Sequence, residues 1–244
     1  MGNEVANPFG GSVAMVDREE MAKRAAASAQ SGARGGAPDS SEYLNFSGKR
    51  GVYQLGQDKA QVQNDELWLL NIASFEDGYV CWKGGKPAAQ RMANIFGAGY
   101  PVAVPSDDEG GPFDKGRGEG WSFAKGWVSK SLDTDRQAYF RVNSVSGVSE
   151  MADLIEEVSQ RMAGGEPCWP VFSYDNEEFE AQGYKNFKPK FPVSGWLTDE
   201  QVTAYAKGDL DLDDVLGGEE KPAVTKAPDP AEQQTTGRRR RRSA

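Results

Sequence analysis

Apolar positions along this chain change their spacing from segment to segment. From Glu66, "ELWLLNIASF" is dense in aliphatic and aromatic residues, and "GYVCWKGGKP" follows the turn signal "EDG". Two such runs around a turn signal predict a hairpin. "GWSFAKGWVSKSL" alternates with period two, placing Trp121, Phe123, Lys125 and Trp127 on one side of a third extended segment. "RQAYFRVNSVS" predicts another short strand. The period then becomes helical: in "SVSEMADLIEEVSQRMAGG", Val148, Met151, Leu154, Ile155, Val158 and Met162 recur at three and four residues. Ser146 or Ser149 is placed to cap that helix, and Gly164 with Gly165 to end it. Its single apolar stripe predicts packing against a sheet, with Asp153, Glu156 and Glu157 in solvent. "CWPVFSYD" and "FKPKFPVSGWL" return to extended patterning. Pro170, Pro189 and Pro192 confine these two segments to edges, strand ends or bulges, because proline cannot donate to a ladder.

Several strands, one amphipathic helix and two more strands predict a mainly β fold. An antiparallel barrel of the oligonucleotide-binding (OB) type has this order, and so does a small α+β sandwich. The expectation carried forward is an OB-like barrel over residues 43–206. Apart from Phe9, every Phe, Tyr and Trp lies between Tyr43 and Tyr205, so only that span can bury a large core. Residues 1–42 read as a flexible arm with a short helix in "VDREEMAKRAAASAQ", followed by "SGARGGAPDSS", which has no large apolar groups. Residues 207–244 read as an acidic linker, "DLDLDDVLGGEEKPAVTKAPDPAEQQTT", that ends in the arginine run 238–242.

Charge complicates any simple reading of that arginine run. The chain carries net −9, and its central span, residues 43–206, is acidic by itself with 16 basic against 23 acidic groups. Binding to nucleic acid must therefore rest on local patches instead of a global basic surface. Histidine is absent, and the two cysteines, Cys81 and Cys168, stand far apart. The usual triads and structural zinc thus lose their base and their ligands, and no disulfide framework is implied. The carboxylates of "PSDDEGGPFD", residues 105–114, lack calcium-loop spacing and read as loop surface, and no phosphate-cradling glycine fingerprint occurs. A metal-dependent enzyme built on Asp107, Asp108 and Asp114 ranks last. With no apolar run of bilayer length and no leader, the expectation is a soluble, cytoplasmic, non-enzymatic protein without cofactor or metal.

What remains is an interleaving of rings with cations, the combination that single-strand binders use to stack bases and meet phosphates. Trp82 stands beside Lys83, Lys86 and Arg91. Trp121, Phe123 and Trp127 alternate with Lys125, and Arg141 follows Tyr139 and Phe140. Tyr184 and Phe187 combine with Lys185, Lys188 and Lys190. In this last segment alternation sends Phe187, Phe191 and Val193 one way and Lys188 and Lys190 the other, predicting a positive stripe. Each segment also has a plainer reading: Trp68, Phe140, Phe172 and Trp196 sit among aliphatics as core residues do, and a lysine beside an aromatic often only lies over it.

The stretches "YLNFSGKRGVYQLG", "WKGGKP", the helix after "NSVSG" and "EPCWPVFSYDNEEFEAQGYKNFKPKFPVSGWL" together resemble phage-encoded single-stranded DNA-binding proteins of the OB-fold type. The resemblance covers residues 43–197 and neither tail. It implies sequence-nonspecific coating of single-stranded DNA in phage replication or recombination, with Trp82, Lys83, Lys86, Tyr184, Lys188 and Lys190 on matching positions. It also implies that an acidic tail such as "DLDLDDVL" recruits replication or recombination proteins. The terminal arginines depart from that pattern and are expected to add weak phosphate contacts. The alternative is a phage structural or interaction protein that acts through its tails without DNA binding by the core.

Overall fold

The computed structural model describes residues 9, 18–30, 41–101, 103–181, 183–211 and 215–216. Among the described residues twelve strands and three α-helices follow one another: α1 (Arg18–Gln30), β1 (Glu42–Ser47), β2 (Val52–Leu55), β3 (Ala60–Val62), β4 (Leu67–Leu70), β5 (Glu76–Lys83), β6 (Lys86–Asn94), β7 (Gly120–Ser131), β8 (Gln137–Val142), α2 (Val145–Gly164), β9 (Trp169–Ser173), β10 (Asp175–Ala181), β11 (Tyr184–Lys190), β12 (Val193–Leu197) and α3 (Asp199–Lys207). The fold is mainly β, as its alternating segments predict, and its main sheet curls into a half barrel.

Ten strands form that sheet in the order β12, β9, β4, β7, β8, β1, β2, β3, with β5 and β6 branching from β7. The branch exists because β7 is twelve residues long. Residues 120–126 pair with β5 and residues 129–131 with β4, while β8 runs along the opposite side. All pairings are antiparallel except β1 with β8, where Glu42 to Leu44 lie opposite Ala138 to Phe140. Arg136 fixes this parallel join by donating from Nε and Nη2 to the two carboxylate oxygens of Glu42, each at 2.7 Å. A two-point guanidinium–carboxylate contact sets orientation as well as distance.

The hairpin expected across "EDG" does not form. Glu76, Asp77 and Gly78 lie inside β5, and a 3₁₀ turn, Ile72–Ser74, connects it to β4. The actual hairpin joins β5 to β6 through Gly84 and Gly85, whose φ values of 60° and 73° suit a two-residue turn that glycine adopts without strain.

The long helix forms where its periodicity places it, but Ser144 is its N-cap, accepting from the Gly147 N–H at 3.2 Å, and Gly165 its C-cap. Asp153, Glu156 and Glu157 are exposed as expected. Met151, Leu154, Ile155, Val158 and Met162 close one face of the sheet over Trp68, Trp127, Phe140, Phe172 and Tyr174. A second apolar layer on the other face comprises Leu69, Val128, Tyr139, Val171 and Leu197 under Val202 of α3. The alternation of Trp127 and Val128 between the two layers is the period of a strand buried on both sides.

The flanks do more than the expected arm and linker. Helix α1 packs on α2: Ala22 and Ala25 are buried, and Ser159 Oγ donates to the Ala22 carbonyl at 2.8 Å. Arg18 forms an ion pair with Asp199 at the start of α3. Phe9 is buried in the second layer, and Leu210, Val215 and Leu216 of the acidic segment pack against it. The remaining residues of the expected tails, the arginine run among them, lie outside the described residues.

Candidate nucleic-acid interface

The β5–β6 hairpin and the loop that leads into β7 bring several of the expected residues together. Trp82 lies half-buried at the end of β5, Lys83 is exposed beside it, and Lys86 is exposed at the start of β6. The loop 109–119 folds against them. Trp121 Nε1 donates to the Glu109 carbonyl at 2.8 Å, and the Glu109 carboxylate pairs with Arg91, whose guanidinium lies 5.2 Å from the Trp121 ring. Glu119 joins loop to hairpin, accepting from the Gly84 N–H at 2.8 Å and the Asp114 N–H at 3.0 Å. Those two N–H groups hold its carboxyl below the usual glutamate range.

This arrangement sets Phe113 between two cations, with the Lys83 and Lys115 ammonium groups 5.9 and 5.8 Å from its ring centre. Arg117 is close by, paired with Asp114 at 3.2 Å. The hairpin and loop thus gather Lys83, Lys86, Arg91, Lys115 and Arg117 among the carboxylates of Glu109, Asp114 and Glu119, with Asp107 and Asp108 adjacent in the chain, a concentration of cations interleaved with acids. Sequence reasoning missed Phe113, which falls in the span 105–114 read as loop surface, and Lys115 and Arg117 just beyond it. The signal was present in "PFDKGR", which interleaves a ring with cations like the other candidate segments.

Other expected residues lie elsewhere. Phe123 is half-buried, edge-on to Tyr79 at 5.8 Å. Arg141 bonds Gln90 and lies over Tyr43 at 5.5 Å. The β10–β11 hairpin forms its own two-stranded sheet, with Tyr184 73% exposed and Lys185 paired to Glu178. The positive stripe expected at Lys188 and Lys190 is neutralised, since both ammonium groups lie within 3.2 Å of Glu150 on α2 and Glu177 on β10.

Two assignments are corrected outright. Trp127 is fully buried: its Nε1 donates to Tyr174 Oη at 3.1 Å, and its ring meets Phe172 and Phe191 edge-on. No base can stack there. Lys125 is buried as well and pairs at 2.8 Å with Asp77, its cross-strand neighbour, so it cannot meet a phosphate. Among the described residues no cluster of His, Cys, Asp and Glu could hold a metal ion, and no helix is long and apolar enough to cross a membrane.

The sheet and this cationic hairpin tip define a mainly β protein with a candidate polyanion-binding edge. No protein-family model, curated protein or solved structure matches the chain.

Proposed function

We propose that the protein binds single-stranded DNA without sequence specificity, in phage replication or recombination and in the cytoplasm of the host cell. The observation that carries this reading is Phe113 in the loop 109–119, with the ammonium groups of Lys83 from the β5–β6 hairpin and of Lys115 both within 6 Å of its ring. Rings offer stacking faces worth about 1–3 kcal/mol per base, and neighbouring ammonium groups supply phosphate contacts. The resemblance of residues 43–197 to phage single-strand binders supports the same reading. In it the curled sheet is a variant of the OB type, and the acidic tail is a contact for replication or recombination proteins. Titration with oligothymidine at low salt is expected to quench tryptophan fluorescence, and added salt to reverse the quench. Absence of quenching and of any mobility shift at low salt overturns the proposal.

One observation favours a second reading, an interaction protein acting through its tails. Phe9, Leu210, Val215 and Leu216 come from both flanks and meet on one face of the sheet. In that case a chain lacking residues 217–244 loses its partner while the remainder has no affinity for DNA.

A further inference from the structure

One carboxylate of the loop 109–119 is held as a bound anion is held. Glu119 Oε1 accepts from the Gly84 N–H at 2.8 Å and Oε2 from the Asp114 N–H at 3.0 Å, so backbone donors of the hairpin and of the loop converge on it. Cations surround the same point. The charges of Lys83 and Arg117 add to the lowering of its pKa that those two N–H groups begin. The Lys115 ammonium lies 3.2 Å from where a side chain on the next residue, Gly120, would start. Of the three cations only Arg117 has a carboxylate ion-pair partner among the described residues, Asp114 at 3.2 Å. The loop's other carboxylate near the hairpin, Glu109, is engaged by Arg91.

Backbone N–H groups aimed at one point and ringed by ammonium and guanidinium groups are the donor set with which proteins hold phosphates. Here the chain's own carboxylate occupies that set. Solvent reaches it, because Glu119 is half-buried and lines an open cleft together with Trp82, Gly85, Arg117 and Gly118. Side chains added at Gly84, Gly85 or Gly118 would meet no atom within 4 Å, so a phosphate has room to approach from the side of the turn. Glu119 also stands between two glycines of positive φ, Gly118 at 70° and Gly120 at 121°, the most permissive backbone from which to release a side chain.

We propose that the Gly84 and Asp114 N–H groups, with Lys83, Lys115 and Arg117, form a phosphate-binding nest that Glu119 fills in the free chain as a competing anion. A phosphate enters by displacing the carboxylate, which sets a threshold on affinity. A phosphodiester carries the same single charge as Glu119 and competes poorly, whereas a monoester or inorganic phosphate brings up to two charges and three acceptor oxygens and competes better. The natural ligand, a phosphate of a single strand, rests on the single-strand-binding reading, but the nest itself is testable without DNA.

The test follows the backbone amide signals of Gly84 and Asp114 by heteronuclear NMR while inorganic phosphate is added to the full chain at constant ionic strength, with chloride as the balancing anion. Both signals are expected to move together and saturate. Glu119→Gln, which removes the charge and keeps an acceptor, should bind phosphate about tenfold more tightly, the worth of one hydrogen bond to a charged group. Asp108→Asn removes the same charge from an exposed neighbouring position and should change the affinity little, and Lys115→Ala should weaken binding. If Glu119→Gln releases the loop, the parent titration and Lys115→Ala carry the test. Gly84 and Asp114 signals that stay in place in the parent chain and in Glu119→Gln, or equal gains from Glu119→Gln and Asp108→Asn, overturn the nest and leave Glu119 as a tie between loop and hairpin. Oligothymidine, with and without a terminal phosphate, separates the two readings. A response to inorganic phosphate but to neither oligomer upholds the nest and overturns its use on DNA, whereas oligomer binding that bypasses both amides upholds the function and overturns the nest.

Discussion

Lys125 and Asp77 face each other across β7 and β5 with side-chain exposures of 1% and 0%. Burial pulls the lysine below its ordinary pKa, and the neighbouring carboxylate opposes that shift. Removing one member of such a pair leaves a buried charge without its counter-charge. Asp77→Asn is expected to destabilise the protein by about 3–5 kcal/mol in urea unfolding, and the double change Asp77→Leu with Lys125→Met to recover much of that loss. The pair also marks a limit of sequence reasoning. Alternation correctly puts Trp121, Phe123, Lys125 and Trp127 on one side of β7, but periodicity carries no information on depth along the strand. Trp121 lies half-buried near the hairpin, while Trp127 lies at the centre of the aromatic core, because β7 runs from the rim inward.

Among the elements, the β10–β11 hairpin has a distinctive attachment. The Phe187 N–H donates to the Gly48 carbonyl at 2.8 Å, and Asn176 Nδ2 to the Gly51 carbonyl at 2.9 Å. A side chain at Gly51 would come within 2.8 Å of the Phe187 ring, so this turn needs glycine for the hairpin to sit against it, quite apart from its φ of 64°. Ionic attachment comes from Lys188 and Lys190 with Glu150 and Glu177. The two lysines hold the Glu177 carboxyl below its ordinary value of 4.5. A lowered carboxylate pKa contributes stability that is complete above 4.5 and is lost as pH falls through the folded-state value. The protection factors of the β11 amides, taken relative to intrinsic exchange at each pH, are therefore expected to fall on acidification below that range, ahead of those of β7 and β8. Equal protection of β11 at pH 6 and pH 3.5 counts against this attachment. Helix α2 was legible because its stripe is long and one-sided. Strand β6 and helix α3 were not read, although the Gly84–Gly85 turn and the Thr198 to Gln201 capping box are local signals for each. A proline near the start of β6 and the acidic surroundings of α3 masked them.

Taken as a whole, the molecule carries net −9, yet the proposed interface depends on four cations: Lys83, Lys86, Lys115 and Arg117. Counterion release on single strands lowers log affinity by about 0.7 per log unit of salt for each phosphate neutralised. Four contacts predict a slope of about −3, and Lys83→Glu with Lys86→Glu is expected to reduce it to about half, as read from fluorescence titrations across a salt series. A slope unchanged in that variant places the contacts elsewhere. The acidic remainder of the surface disfavours phosphates, so the proposed contact would be confined to the hairpin and loop 109–119 instead of running along the whole sheet.

The parallel join of β1 to β8 sets an order on biosynthesis. The β1–β2–β3 meander leaves the ribosome early, but the strand that closes its open side, Gln137–Val142, emerges only after β4 to β7 have been translated. Until then the nascent chain presents a bare row of amides and carbonyls beside Leu44 and Phe46, a template for pairing with a neighbouring chain. Fragments that end before Gln137 should accordingly accumulate as aggregates, whereas chains that extend through α2 stay dispersed.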